Sequence, residues 1–244
     1  MRAGLLLLLA VVLSAAAAVP AHAGLVTRPH AKKPLSDKRA AKLVHRSRFE
    51  PRPANHAATN AMPTAAQLRA FRAQSEMPYA RYVTGHFTGT TDEVIQWAAR
   101  KWGLKPDLLR AVGTVESWWR MSTVGDNGDS FGLFQVRRPF HCTEPVCEQF
   151  RDDAALNADY YGGILRSYYD GKQRWLNTVS GDERSGDERS ARGRGKPYRR
   201  GDLWASVGAW FSGRWWNAAA RGYVREVKRR LKARTWRTRD FRAG

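Results

Sequence analysis

The residue best placed to do chemistry is Glu116, in Ala111-Val112-Gly113-Thr114-Val115-Glu116-Ser117-Trp118-Trp119. At about 100° per residue, Leu108, Leu109, Val112, Val115 and Trp119 share one sector of a helical wheel, and Glu116 falls inside it. A carboxylate on an apolar face is desolvated. Its pKa rises and it holds a proton near neutral pH, as a general acid must. The same spacing admits a plainer role, an i,i+4 surface pair with Arg120. Downstream, residues 125–130 are too rich in Gly, Asp and Asn for regular structure, and Phe131-Gly132-Leu133-Phe134-Gln135-Val136 is a short apolar segment ended by Pro139. This turn can bring its backbone and Gln135 against the cleft that holds Glu116. Asp126 suits turn formation or helix capping. The six histidines are scattered without ligand spacing, so neither a metal nor a cofactor is expected.

Glu116-Ser117 followed by Phe131-Gly132-Leu133-Phe134-Gln135 resembles the Glu-Ser … Gly-Leu-Met-Gln signature of the soluble lytic transglycosylases. These are peptidoglycan-cleaving enzymes of the lysozyme-like superfamily. The run over residues 125–136 resembles the goose-type lysozymes even better than the bacterial enzymes, and the resemblance extends over about residues 91–223. It implies an all-α, lysozyme-like domain with a catalytic helix and a Gly-rich loop. It implies that Glu116 protonates the β-1,4 bond between N-acetylmuramic acid and N-acetylglucosamine, then acts as base. The muramyl 6-hydroxyl closes onto C1 and leaves a 1,6-anhydro end. Likeness to the goose-type enzymes keeps a hydrolytic, inverting route open, with Asp126 placing a water. By the same resemblance Ser117 and Gln135 bind substrate, and Asn157 matches an Asn that opens the next long helix. Where the family has a Tyr-Asn pair, this chain has Trp210-Phe211. Trp210 can stack on a sugar but carries no hydroxyl, so Tyr160 or Tyr161 is expected to supply one. Trp118 and Trp119 either line sugar subsites or belong to the core, since tryptophan is highly buried on average.

The chain carries 42 Lys and Arg against 22 Asp and Glu, a net +20, which draws it to anionic polymers. Residues 1–4 are a short basic start, residues 5–18 an apolar run too short to span comfortably, and Ala21-His22-Ala23 a small-x-small cleavage site. Residues 1–23 therefore read as a signal peptide, with no membrane-spanning stretch after its removal and an exported product in the wall, the periplasm or the medium. Cys142 and Cys147 should close a small disulfide loop in an oxidising compartment. Export makes peptidoglycan glycan strands and anionic wall polymers the expected partners and argues against specific nucleic-acid binding, which the charge alone would permit. A non-catalytic wall-binding protein is the other alternative.

The elements that must position these residues are legible in part. Residues 24–85 are basic, rich in Ala, Pro and Arg, and aperiodic except for a weak helix at 65–74. They read as a flexible arm that binds wall polymers or acts as a solvated spacer. The domain proper is expected over residues 86–236. Thr90 and Glu93 stand at capping-box spacing, Pro106 suits a first turn, and Asp152 or Asp153 can cap a helix to about Tyr169. Asp202 caps another helix over 203–211, and a last one runs over 217–232 with Ala220, Tyr223, Val224, Val227 and Leu231 on one side. The direct repeat Gly-Asp-Glu-Arg-Ser at 181–190 lies in a low-complexity insertion, about 180–201, read as disordered. Residues 237–244 read as a tail.

Overall fold

The computed structural model describes residues 24–177 and 198–243, apart from 30 and 49. The signal-peptide reading and the repeat at 181–190 lie outside these residues. The described chain is mostly helical, with one small sheet. Its elements are α1 (Asp37–Ala41), α2 (His56–Thr59), α3 (Ala65–Gln74), α4 (Thr91–Lys101), α5 (Pro106–Glu116), α6 (Val146–Asp152), α7 (Ala154–Tyr169), α8 (Leu203–Ser212), α9 (Ala218–Ala233) and α10 (Arg239–Ala243). Three two-residue strands, β1 (Val124–Gly125), β2 (Ser130–Phe131) and β3 (Val136–Arg137), pair antiparallel in the order β1-β2-β3, with Phe131 opposite both Val124 and Val136. No helix among the described residues is long and apolar enough to cross a membrane.

Local chemistry explains most helix starts. Thr90 and Glu93 form a reciprocal capping box at α4, and Pro106 opens α5. Asp153, Asp202 and Asn217 each accept a backbone N–H at the starts of α7, α8 and α9. The core lies where α4 packs on α5 and α7, α5 on α9, and α8 on both α7 and α9. Trp97, Leu108, Leu109, Val112, Phe134, Tyr161 and Val227 are among its buried side chains.

Residues 24–85 are not a flexible arm. They wrap the helices and are tied to them at many points. Val26 bridges Leu104, and the Leu35 amide donates to the Lys101 carbonyl at 2.8 Å. The Asn55 side chain donates to Thr91 Oγ1 and the Trp119 carbonyl at 2.9 and 2.7 Å and accepts from the Met121 amide. Phe71 is fully buried, edge-on to Phe150 and Tyr160. The buried Lys101 ammonium sits 2.7 Å from Asp37 and 2.6 Å from Asp159, which also accepts from Trp102 Nε1 at 2.7 Å. The packed structure thus includes residues 24–85 as well as those from 86 on.

Residues 237–243 are not a free tail either. Phe241 on α10 is fully buried, its ring 5.0 Å from both Trp118 and Trp119. The end of the expected insertion also packs: the Tyr198 hydroxyl donates to the Tyr168 carbonyl at 3.0 Å, and its ring lies edge-on to Trp215.

Candidate active site

Glu116 is the last residue of α5. The chain leaves the helix abruptly there. The Ser117 and Trp119 amides both donate to the Gly113 carbonyl, and Trp118 and Trp119 adopt left-handed φ values of 55° and 62°. Two consecutive left-handed residues with side chains cost about 1–3 kcal/mol each. Burial of Trp119 against Phe241, and its Nε1–H donated to the Arg110 carbonyl at 3.0 Å, hold them. Because the helix ends at Glu116, the i,i+4 relation to Arg120 does not form.

The Glu116 carboxyl faces an open cleft of about 980 Å³ whose walls include Asp126, Gln135, Arg137, His141, Tyr160, Trp210 and Phe211. Two donors converge on its Oε1: Trp210 Nε1–H at 3.2 Å and the Tyr223 hydroxyl. Oε2 accepts no hydrogen bond from the described residues. Burial pushes the Glu116 pKa up, the negative charge of Asp126 adds to this, and the Tyr223 and Trp210 hydrogen bonds pull it back, leaving it at about 7. Tyr223 is itself raised well above its ordinary value, chiefly by burial and then by Glu116, so it remains a donor.

The Gly-rich segment is held against this helix end by residues that never touch the cleft. Ser117, expected to bind substrate, is buried and donates its hydroxyl to the Leu133 carbonyl at 2.8 Å. Its place is structural: it joins the end of α5 to the loop. Asn157, fully buried on α7, accepts from the Phe134 amide at 3.0 Å and donates to the carbonyls of Phe131 at 2.9 Å and Phe150 at 2.8 Å. Gly132 has a φ of +73°, and a Cβ there would sit 2.5 Å from Asn157 Nδ2, so both conformation and space demand glycine. Gln135 does reach the cleft wall, but its amide donates to the Thr123 and Gly132 carbonyls at 3.0 and 2.9 Å. Asp126 lies in the same cleft, half exposed, accepting from Ser130 Oγ at 2.5 Å and 3.5 Å from Arg137 Nε.

The aromatic residues are redistributed relative to expectation. Trp118 and Trp119 belong to the packing around Phe241 and are not in the cleft wall. Trp210 is in the wall but buried, its ring stacked 4.6 Å from His141 and its N–H turned to the acid, so it is a partner of Glu116 before it is a sugar platform. Tyr160 pairs with His141 Nδ1 at 3.0 Å, and the Tyr161 hydroxyl, though close enough to feel the Glu116 charge, makes no hydrogen bond, so neither donates the expected hydroxyl to the acid. That hydroxyl comes from Tyr223, which the sequence places only on the packing face of α9. A buried tyrosine hydroxyl demands a polar partner, but the one it meets stands 107 positions away. The exposed aromatics of the cleft are Phe140, Trp175 and Phe211. Burial, with Arg137 nearby, pushes His141 down to about 4, so its imidazole is neutral at neutral pH. Cys142 and Cys147 form the expected disulfide beside the cleft. No cluster of three or more His, Cys, Asp or Glu residues suited to a metal occurs among the described residues. No protein-family model matches the chain, and no curated protein matches it.

Proposed function

We propose that the protein is an exported peptidoglycan lytic transglycosylase with a lysozyme-like helical domain, cleaving the β-1,4 bond between N-acetylmuramic acid and N-acetylglucosamine. One observation carries the reading: a carboxyl group poised near pH 7 in the wall of an open, aromatic-rimmed cleft, with both protein donors on one oxygen. The other oxygen, Oε2, carries the proton and presents it to the glycosidic oxygen. As the C1–O bond breaks, the carboxylate left behind is stabilised by Trp210 and Tyr223, and positive charge develops at C1. Glu116 then takes the proton of the muramyl 6-hydroxyl as that oxygen bonds to C1, which leaves a 1,6-anhydro end and returns the acid to its starting state.

A second reading rests on Asp126, which shares the cleft and whose charge helps raise the Glu116 pKa. In it Asp126 is the base for a water and the product has a reducing end. Asp126 holds Ser130 Oγ and Arg137 Nε on one oxygen, Oδ2, which gives it a place in the structure of the loop and favours the first reading. Digestion of purified peptidoglycan with mass spectrometry of the fragments separates the two. Anhydromuramic ends support the transglycosylase, and reducing ends the hydrolase. Glu116→Gln should lose about 10²–10⁴-fold in rate. Normal cleavage by that variant removes Glu116 from the mechanism.

A further inference from the structure

The strongest charge concentration among the described residues is not on the N-terminal segment. Residues 24–85 spread twelve Lys and Arg over 62 positions, whereas residues 221–242 place ten within 22 positions against only Glu226 and Asp240. On α9, Ala220, Tyr223, Val224 and Val227 are buried, while Arg225, Lys228, Arg229 and Lys232 are exposed at i, i+3, i+4 and i+7, a single stripe along the outer face. Past the turn at Arg234, the exposed Arg237 and Arg239 extend the charge. Glu226 answers only part of it, pairing with Arg229 and Arg230.

We infer that this outer face of α9 and the chain leading into α10 is a docking surface for an extracellular polymer with a phosphodiester backbone, of the kind built into cell walls. A linear polyanion fits a stripe of cations at short, regular helical spacing, and releases counterions when bound. A lipid surface fits less well: no large apolar side chain is exposed between residues 218 and 243, and an interfacial helix needs an apolar face to insert. Nucleic acid fits less well because the Cys142–Cys147 disulfide belongs to an oxidising compartment. The inner face of the same helix carries Tyr223, so a polymer bound outside holds the cleft at a fixed orientation to the surface it grips.

The test is binding of the full chain to poly(glycerol phosphate), to duplex DNA and to vesicles of equal parts phosphatidylglycerol and phosphatidylcholine, over a salt series. The patch variant is Arg225→Glu, Lys232→Glu, Arg237→Glu and Arg239→Glu. A matched variant reverses Lys33, Lys38, Arg39 and Arg69, exposed on other parts of the surface. The patch variant should bind poly(glycerol phosphate) about 10- to 100-fold more weakly, and the slope of log affinity against log salt should fall by about 3, at ~0.7 per lost contact. The matched variant should change less than about twofold. Glutamine at the same four patch positions should give an intermediate loss, which keeps the test informative if the reversals impair folding. Equal losses in the patch and matched variants would reduce the effect to net charge and overturn the proposal. So would tighter binding to DNA or vesicles, or no binding of the wild type to poly(glycerol phosphate). The readout is binding, so it stands or falls apart from glycan cleavage.

Discussion

Replacing Tyr223 with phenylalanine removes one hydroxyl and little else. The ring stacks on Phe211 at 4.8 Å with its plane 4° from parallel, and phenylalanine keeps that contact. What is lost is the donor to Glu116 Oε1, and that donor favours the ionised carboxylate. A hydrogen bond to a charged group contributes about 1.5–3 kcal/mol. At about 1.36 kcal/mol per pKa unit, its loss raises the Glu116 pKa by about one to two from its value near 7. Under the proposed mechanism the acid must be protonated to work, so the alkaline limb of the pH–rate profile moves up by the same amount. The plateau falls, because the carboxylate formed in the transition state has lost a stabilising donor. If half of the bond has developed there, the loss is roughly 3- to 10-fold. Initial rates on a soluble glycan from pH 4 to 10 measure both effects. Carbon NMR of the labelled Glu116 carboxyl titrates the group directly, whatever the activity. A limb that stays in place or moves to lower pH, or a plateau that rises, refutes the role assigned to Tyr223.

Three further outcomes follow from the same structure. The Glu116 pKa near 7 lies above its ordinary 4.5, so the folded state holds the extra proton between those values. The associated stability is present in full below pH 4.5 and is lost as pH rises through about 7. Urea unfolding at pH 4.5 and pH 8 should therefore show the wild type losing up to about 3 kcal/mol more than Glu116→Gln. Asp153, also raised to about 7 by burial, acts alike in both proteins and cancels in the difference. Asn157→Leu removes the side-chain partner of three backbone groups, two in the Gly-rich segment at Phe131 and Phe134 and one in α6 at Phe150, and should cost at least about 3 kcal/mol in urea unfolding, with loss of protection from hydrogen exchange at Phe134. Lys101→Met removes the cation paired with Asp37 and with the fully buried Asp159 and should cost about 3–5 kcal/mol, with residues 24–85 becoming sensitive to protease before the rest of the chain.

What the sequence discloses is what local chemistry determines. Thr90 with Glu93, Pro106, Asp153, Asp202 and Asn217 act within one turn of their own position, and each marks a helix start in the structure. The apolar sector containing Glu116 is likewise a local pattern: Leu108, Leu109 and Val112 are fully buried, Val115 and Glu116 are partly buried, and Trp119 is buried from the turn beyond the helix end. Residues 24–85 carry little such pattern beyond the helix over 65–74, because backbone pairs such as Leu35 with Lys101 and single side-chain contacts such as Asn55 with Trp119 hold the rest in place. Pairings of that kind leave no periodicity to read. The left-handed turn at Trp118 and Trp119 was equally hidden, since nothing in either residue type favours it. It carries both rings away from the cleft, and the residue beneath them, Phe241, lies in what reads as a polar tail.

The last point bears on how the acid is set. Burial alone would push the Glu116 carboxyl higher still, and the hydrogen bonds without burial would hold it below the ordinary carboxylate range and ionised at neutral pH. A poise near 7 needs both, and they are supplied by different elements. The helix end and its abrupt exit depend on Phe241 packing under Trp118 and Trp119, while the donors arrive from α8 and α9 through Trp210 and Tyr223. Trp210 is in turn stacked on His141, whose imidazole is kept neutral and joined to Tyr160. A charged imidazolium in that place would pull the Glu116 pKa down across the indole. Keeping it neutral by burial leaves the two hydrogen bonds as the effects that oppose desolvation, so the poise of the acid rests on packing that is assembled only when α5, α8, α9 and α10 have all come together.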